Sequence, residues 1–228
     1  MFKKYLGLFN LVLMRPVLFF TKLPSGNWKE EPVLFCGVVA WVIAFFVSCV
    51  VFINQMLPIG LTIWVEVTGW KLVLVAPVAV VLSFMFFIMV YAVMGMVLTG
   101  LLLGLFYVLG WLLHFGGRMM GGLSDYTLSL KASFYSSAAA LILIIPVLTV
   151  IFSKQGLVDF TNFKIGYNIV YSLFVVYLYG LMAIASRKIQ GIERWEAFVA
   201  ALLPAAVLVL FGIVMSVAIL GKLQNWVI

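Results

Sequence analysis

Long uncharged runs alternate with short polar clusters along this chain, and the lengths of the runs predict its elements. Val33 to Ile53 is 21 residues without a charge, bounded by Lys29, Glu30 and Glu31 before it and by Asn54 and Gln55 after it. A helix rising about 1.5 Å per residue crosses a hydrocarbon core of about 30 Å in roughly 20 residues, so this run is a predicted membrane span. Leu72 to Leu113 carries no charge over 42 positions. Ala132 to Phe152, Ile165 to Ser186 and Ala197 to Gly221 are three further spans of ordinary length, with Pro146 and Pro204 inside the first and last of them. Asn54 to Lys71 reads as a half-apolar loop whose Trp64 and Trp70 suit the membrane interface. The aromatics of the fourth span, Tyr167, Tyr171, Phe174, Tyr177 and Tyr179, are too dispersed to form one stripe.

The 42-residue run corresponds to about 63 Å of helix, enough to cross twice, and the distribution of cations arbitrates. With one crossing, Lys3, Lys4, Arg15, Lys22, Lys29, Arg118, Lys131, Arg187, Lys188 and Arg194 share the N-terminal side. Lys71, Lys154, Lys164 and Lys222 then lie opposite, ten against four. Two crossings reduce the asymmetry to eight against six. The steeper bias favours an all-α membrane protein of five transmembrane helices, the second long, tilted or bent, over a six-span alternative. Gly95, Gly100, Gly104 and Gly110 offer places for a bend, and Gly100 with Gly104 has the spacing of a close helix contact.

Residues 1–32 form a separate N-terminal segment ahead of the 33–228 transmembrane domain. No small-residue cleavage site follows the short apolar stretch Leu6 to Met14, so it reads as a retained amphipathic helix on the membrane surface, with Phe2, Leu6, Phe9 and Leu13 on its buried side. Arg15 precedes Pro16, whose ring disfavours helix at the residue before it, so a second short segment starts there. Pro24, Ser25, Gly26 and Asn27 form a turn.

Composition sharpens this picture. Hydrophobic residues make up 66% of the 228, charged residues 9%, and mean hydropathy is +1.27, whereas about a quarter of a soluble domain is charged. The 14 Lys and Arg against 7 Asp and Glu lie in short flanks rather than on one basic face. They point to membrane sidedness and anionic lipid, not to nucleic acid. Cys36 and Cys49 sit on one helical run about 20 Å apart and cannot pair within the chain.

Candidate chemistry is sparse. His114 is the single histidine, so a His-based zinc site lacks ligands and no metal or cofactor is expected. A hydrolytic pair would need His114 with Ser124, Ser133, Ser136 or Ser137, supported by nothing beyond proximity in sequence. Ion-coupled transporters place carboxylates in the membrane interior. Here Glu30, Glu31, Glu66, Asp125, Asp159, Glu193 and Glu196 all fall in flanks or loops. Ser133, Ser136, Ser137, Asn168, Ser172 and Ser216 remain inside spans, which keeps a channel or lipid-translocating protein as the alternative to a non-enzymatic organiser of membrane components.

The longest polar break in the middle of the chain, His114 to Lys131, holds the paired glycines Gly116, Gly117, Gly121 and Gly122 around Arg118, followed by Ser124 and Asp125. It reads either as a tight turn or as a contact surface. Arg118 with Arg15, Arg187, Lys188 and Arg194 makes up the candidate set for anionic lipid or partner proteins, because a guanidinium grips phosphate in two parallel bonds.

Arg15–Pro16, Trp28 and Pro32, then Gly121–Gly122–Leu123–Ser124, Thr127, Tyr135, Pro146 and Ala201–Leu202–Leu203–Pro204 together resemble the YIP (Ypt/Rab-interacting protein) domain family, in its short bacterial branch. The resemblance spans nearly the whole chain. It implies five transmembrane helices with a cytoplasmic N-terminus, placing this chain in a bacterial inner membrane with its C-terminus opposite. It also implies association with membrane-protein partners or further copies of the chain. Eukaryotic members associate with Rab-type GTPases in Golgi and endoplasmic reticulum membranes, through chains carrying a long soluble N-terminal region that has no counterpart here.

Overall fold

The computed structural model describes residues 2–24, 27–67 and 69–224, and these are almost entirely helical. Five helical stretches are long and apolar enough to cross a membrane: Glu31–Ile63, Val73–Met119, Tyr126–Lys154, Phe160–Gln190 and Arg194–Lys222. The long uncharged run is one unbroken helix, continuous through Pro77 and its glycines. Only Gly95 and Gly110 of that run are approached by a neighbour, at Trp41 and Leu130 respectively, while Gly100 and Gly104 face open space.

The N-terminal segment is two helices, α1 (Phe2–Met14) and α2 (Pro16–Thr21), broken at Arg15. One face of each belongs to the main core, while Met14, Val17 and Leu18 are exposed. Val12, Phe19 and Phe20 are buried in it, and Tyr5, Phe9 and Leu13 pack against it. The expected stripe divides: Phe9 and Leu13 pack against the bundle, while Leu6 is 51% exposed. The Phe2 side chain lies outside the described residues. Docking on the bundle sets the buried face. Lys4 Nζ lies 2.8 Å from Glu31 Oε1, and Tyr177 Oη donates to the Leu13 carbonyl at 2.5 Å, capping an orphan acceptor at the end of α1. The Glu31 carboxylate, hydrogen-bonded to Lys4, raises that ammonium above its ordinary pKa. Of the predicted turn at 24–27, Ser25 and Gly26 lie outside the described residues.

Helix α3 (Glu31–Glu66) overruns the predicted first span by a further three turns, and the expected loop from Asn54 to Lys71 shrinks accordingly. The Asn54–Gln55 pair ends the apolar run but does not break the helix, since amides are tolerated there. Pro58 is absorbed with Thr62 donating back to its carbonyl at 3.0 Å. Trp70 is exposed, and the Trp64 side chain lies outside the described residues. Helix α4 (Trp70–Met119) returns antiparallel to α3 and is 50 residues long, about 75 Å. The pair is joined by aromatic contacts, Trp41 with Tyr91 at 5.0 Å and Phe52 with Phe87 at 5.8 Å between ring centres.

The third span is not a single α-helix. It runs as α5 (Tyr126–Ser136), a 3₁₀ stretch Ser137–Leu143 and α6 (Ile144–Lys154). Pro146 has no N–H and crowds the carbonyl four residues earlier, so the turn ahead of it tightens. Ala138, Ala139 and Ala140 are fully buried in that stretch. Helix α7 (Phe160–Gln190) starts on the Asp159 carboxylate, which accepts from the Asn162 N–H at 3.0 Å. It ends at Gly191, whose φ of 68° stops the helix. Helix α8 (Arg194–Val214) follows after three residues and continues through a π-helical turn, Met215–Ile219, and a 3₁₀ turn, Leu220–Leu223. The α7 aromatics serve separate neighbours: Tyr171 donates to the Leu208 carbonyl at 2.7 Å and Tyr179 to that of Phe198 at 3.1 Å.

Candidate functional site

The paired glycines form a helix stop followed by a cradle. Gly121 has a φ of 83°, its N–H donates to the Arg118 carbonyl at 3.1 Å, and the Gly122 N–H donates to the Gly117 carbonyl at 2.9 Å. This is the Schellman arrangement that closes a helix on a left-handed residue. Of the second glycine pair, only Gly121 takes a positive φ. Gly122 serves a different purpose, because a Cβ there, or at Gly117, would run into the Gln190 side chain. A Cβ at Gly116 would meet the Ala200 backbone.

Three glycines thus let α4, α7 and α8 converge at one end of the bundle. The Gln190 amide, 6% exposed, seals the junction by donating Nε2–H to the Leu113 carbonyl at 3.2 Å. Gln190 was not singled out from the sequence. A lone amide at the end of an apolar run is its only signal, and its partners lie far away in the chain.

This convergence gathers the cations. Arg118 stands in the last turn of α4, Arg187 and Lys188 in the last turn of α7, and Arg194 at the start of α8. All four are exposed, and none forms an ion pair among the described residues. Of the acids at this end, Glu196 accepts the Glu193 N–H at 2.8 Å and is committed to the start of α8. Asp125 precedes α5 and is exposed, and Ser124 Oγ is buried without a hydrogen-bond partner among the described residues. Arg15 is not brought to this cluster. Its neighbour Leu13 is bonded to Tyr177, about 15 Å along α7 from Arg187.

The other expected positions are packing residues. Trp28 stacks on Phe134 with ring centres 6.0 Å apart, Pro146 and Pro204 are buried, and Pro16 starts α2. Pro32 and Tyr135 line a small polar cavity of about 40 Å³ with Asn27, Glu30, Glu31 and Lys131. Lys131, 7% exposed, shares this lining with Glu30 and Glu31 and forms no ion pair among the described residues, Glu31 being paired with Lys4.

His114 packs edge-on against Tyr126 with ring centres 5.5 Å apart, and no hydrogen bond joins it to a serine among the described residues. Ser133 and Ser136 are committed to the Phe106 and Ala132 carbonyls at 2.6 and 2.8 Å. No group of three His, Cys, Asp or Glu with the geometry of a metal site occurs among the described residues. Comparisons of this chain with protein-family models, curated proteins and solved structures found no match.

Proposed function

We propose that this chain is a non-enzymatic polytopic membrane protein of the YIP type, which organises anionic lipid or membrane-protein partners, including further copies of itself, at its basic end. The observation that supports this reading is the gathering of Arg118, Arg187, Lys188 and Arg194 at the junction of α4, α7 and α8, all exposed. Cations at the end of a span sit at the depth of lipid phosphates, and each contributes about 1 kcal/mol of attraction to an anionic surface. In this reading the basic end faces the cytoplasm with the N-terminus on the same side, which the charge asymmetry supports, and the membrane is a bacterial inner membrane, which the resemblance to the short bacterial YIP branch supports.

Native mass spectrometry of the purified protein tests the reading. The parent should retain phosphatidylglycerol in preference to phosphatidylcholine. The fourfold variant Arg118→Gln, Arg187→Gln, Lys188→Gln, Arg194→Gln should lose that preference while remaining folded. Equal preference in the two proteins would refute the proposal. Ion flux or lipid scrambling above protein-free background in liposomes would favour the channel or translocation alternative instead.

A further inference from the structure

Several lateral grooves run between helices, and one differs in chemistry. The grooves between α3 and α4 are lined almost wholly by apolar and aromatic residues with a single aliphatic hydroxyl in each: that of Thr99 is consumed by the Gly95 carbonyl at 2.6 Å, and that of Ser83 stands alone among apolar neighbours. The groove between α7 and the end of α8, about 430 Å³, contains Asn168, Ser172 and Ser216 on walls of valine and isoleucine. None of these three side chains has a hydrogen-bond partner among the described residues. An amide and two hydroxyls left unpaired inside an apolar span are costly unless something supplies partners.

The groove is shaped by its own packing. Tyr171 lies against Gly212, where a Cβ would collide with its ring, and its hydroxyl is held by the Leu208 carbonyl. Just beyond, α8 widens into the π-helical turn Met215–Ile219, which carries Ser216 on the groove wall. Such turns recur at functional sites because they re-aim side chains and loosen the backbone ladder. The walls are open to the surroundings, with Val176 67% and Val217 74% exposed.

Lys164, Asn168 and Ser172 recur at four-residue intervals on α7, so they lie along one side of the helix in order of depth. Lys164 marks the end of the apolar run, Asn168 lies about 6 Å deeper and Ser172 about 12 Å deeper. A glycerophospholipid presents groups in the same order: phosphate, then ester carbonyls, then acyl chain. We infer that this groove binds one glycerophospholipid, with its phosphate at Lys164, its ester carbonyls accepting from Asn168 and the two serines, and an acyl chain along Val175, Val209 and Ile213. The site lies at the opposite end of α7 from the basic cluster, so it stands or falls independently of the proposed function.

Photocrosslinking tests it. The full chain is reconstituted in phosphatidylcholine vesicles with a trace of phosphatidylglycerol bearing a diazirine in one acyl chain, and the adducts are mapped by peptide mass spectrometry. Adducts should concentrate on residues 205–217 of α8 and the facing part of α7. They should fall at least fivefold in Val176→Trp, which fills the groove, and in Asn168→Leu, but not in Leu173→Trp, a control on an exposed position outside it. A diazirine fatty alcohol, which lacks phosphate and esters, should label the groove no more than other exposed helix surfaces. Adducts spread evenly over the exposed helices, equal labelling in Val176→Trp and Leu173→Trp, equal groove labelling by the fatty alcohol, or chain-to-chain crosslinks through a cysteine at Ile213 in place of lipid adducts would each overturn the assignment.

Discussion

Gly117 and Gln190 decide the basic end between them. A side chain at Gly117 would have to displace a buried amide, and overpacking of this kind costs about 1–3 kcal/mol. Gly117→Val should therefore lower the unfolding temperature in detergent, and Gln190→Ala on the same chain should recover much of the loss; no recovery would show that the clash lies elsewhere. Gly121→Ala should cost about 1–2 kcal/mol through its left-handed backbone alone, and Gln190→Ala should not relieve it. Arg118→Lys preserves charge and removes the planar fork, so stability should hold while phosphatidylglycerol retention weakens. Retention equal to the parent would reduce the loop to a turn. Gly116 and Gly117 lie inside the end of α4, so of the two glycine pairs only Gly121–Gly122 was legible as a turn. The division of labour was not, since Gly116, Gly117 and Gly122 answer to Ala200 and Gln190, which only the folded chain brings near.

Element boundaries followed from charge wherever charge coincided with a true helix end. Arg15–Pro16 broke the N-terminal segment as expected, because proline acts locally on the residue before it. Asn54–Gln55 did not end α3, because amides interrupt hydropathy without interrupting backbone bonding. The 3₁₀ stretch before Pro146 was also invisible, as one proline permits either a kink or a tightened turn and the packing of Ala138–Ala140 selects between them. The docking of α1 offers a test at this scale. Tyr177→Phe deletes the bond to the Leu13 carbonyl, a loss of about 0.5–1.5 kcal/mol. Hydrogen exchange should quicken in residues 4–14 and stay unchanged in α7 and α8; uniform quickening would mean that α1 is integral to global stability.

Across the whole molecule, the packing of the long apolar helices gathers Arg118, Arg187, Lys188 and Arg194 at one end. The other end is closed by Phe163 and Leu220 with Val150, Val158 and Phe160 around them. These four cations were legible as a group because each falls at a helix end, where topology and charge are coupled, whereas Asn54–Gln55 and Lys131 lie inside α3 and α5. In the proposed topology α4 crosses once and so carries the basic end to the side opposite the α3–α4 connection. Single cysteines at Glu66, Leu123, Gln155 and Trp195, on a chain with Cys36 and Cys49 replaced by alanine, test it directly with a membrane-impermeant maleimide applied to intact cells and to inverted vesicles. Positions 123 and 195 should label only from the cytoplasmic side, and positions 66 and 155 only from the other. Labelling of 66 and 123 from the same side would contradict a single crossing, and with it the placement of the basic end.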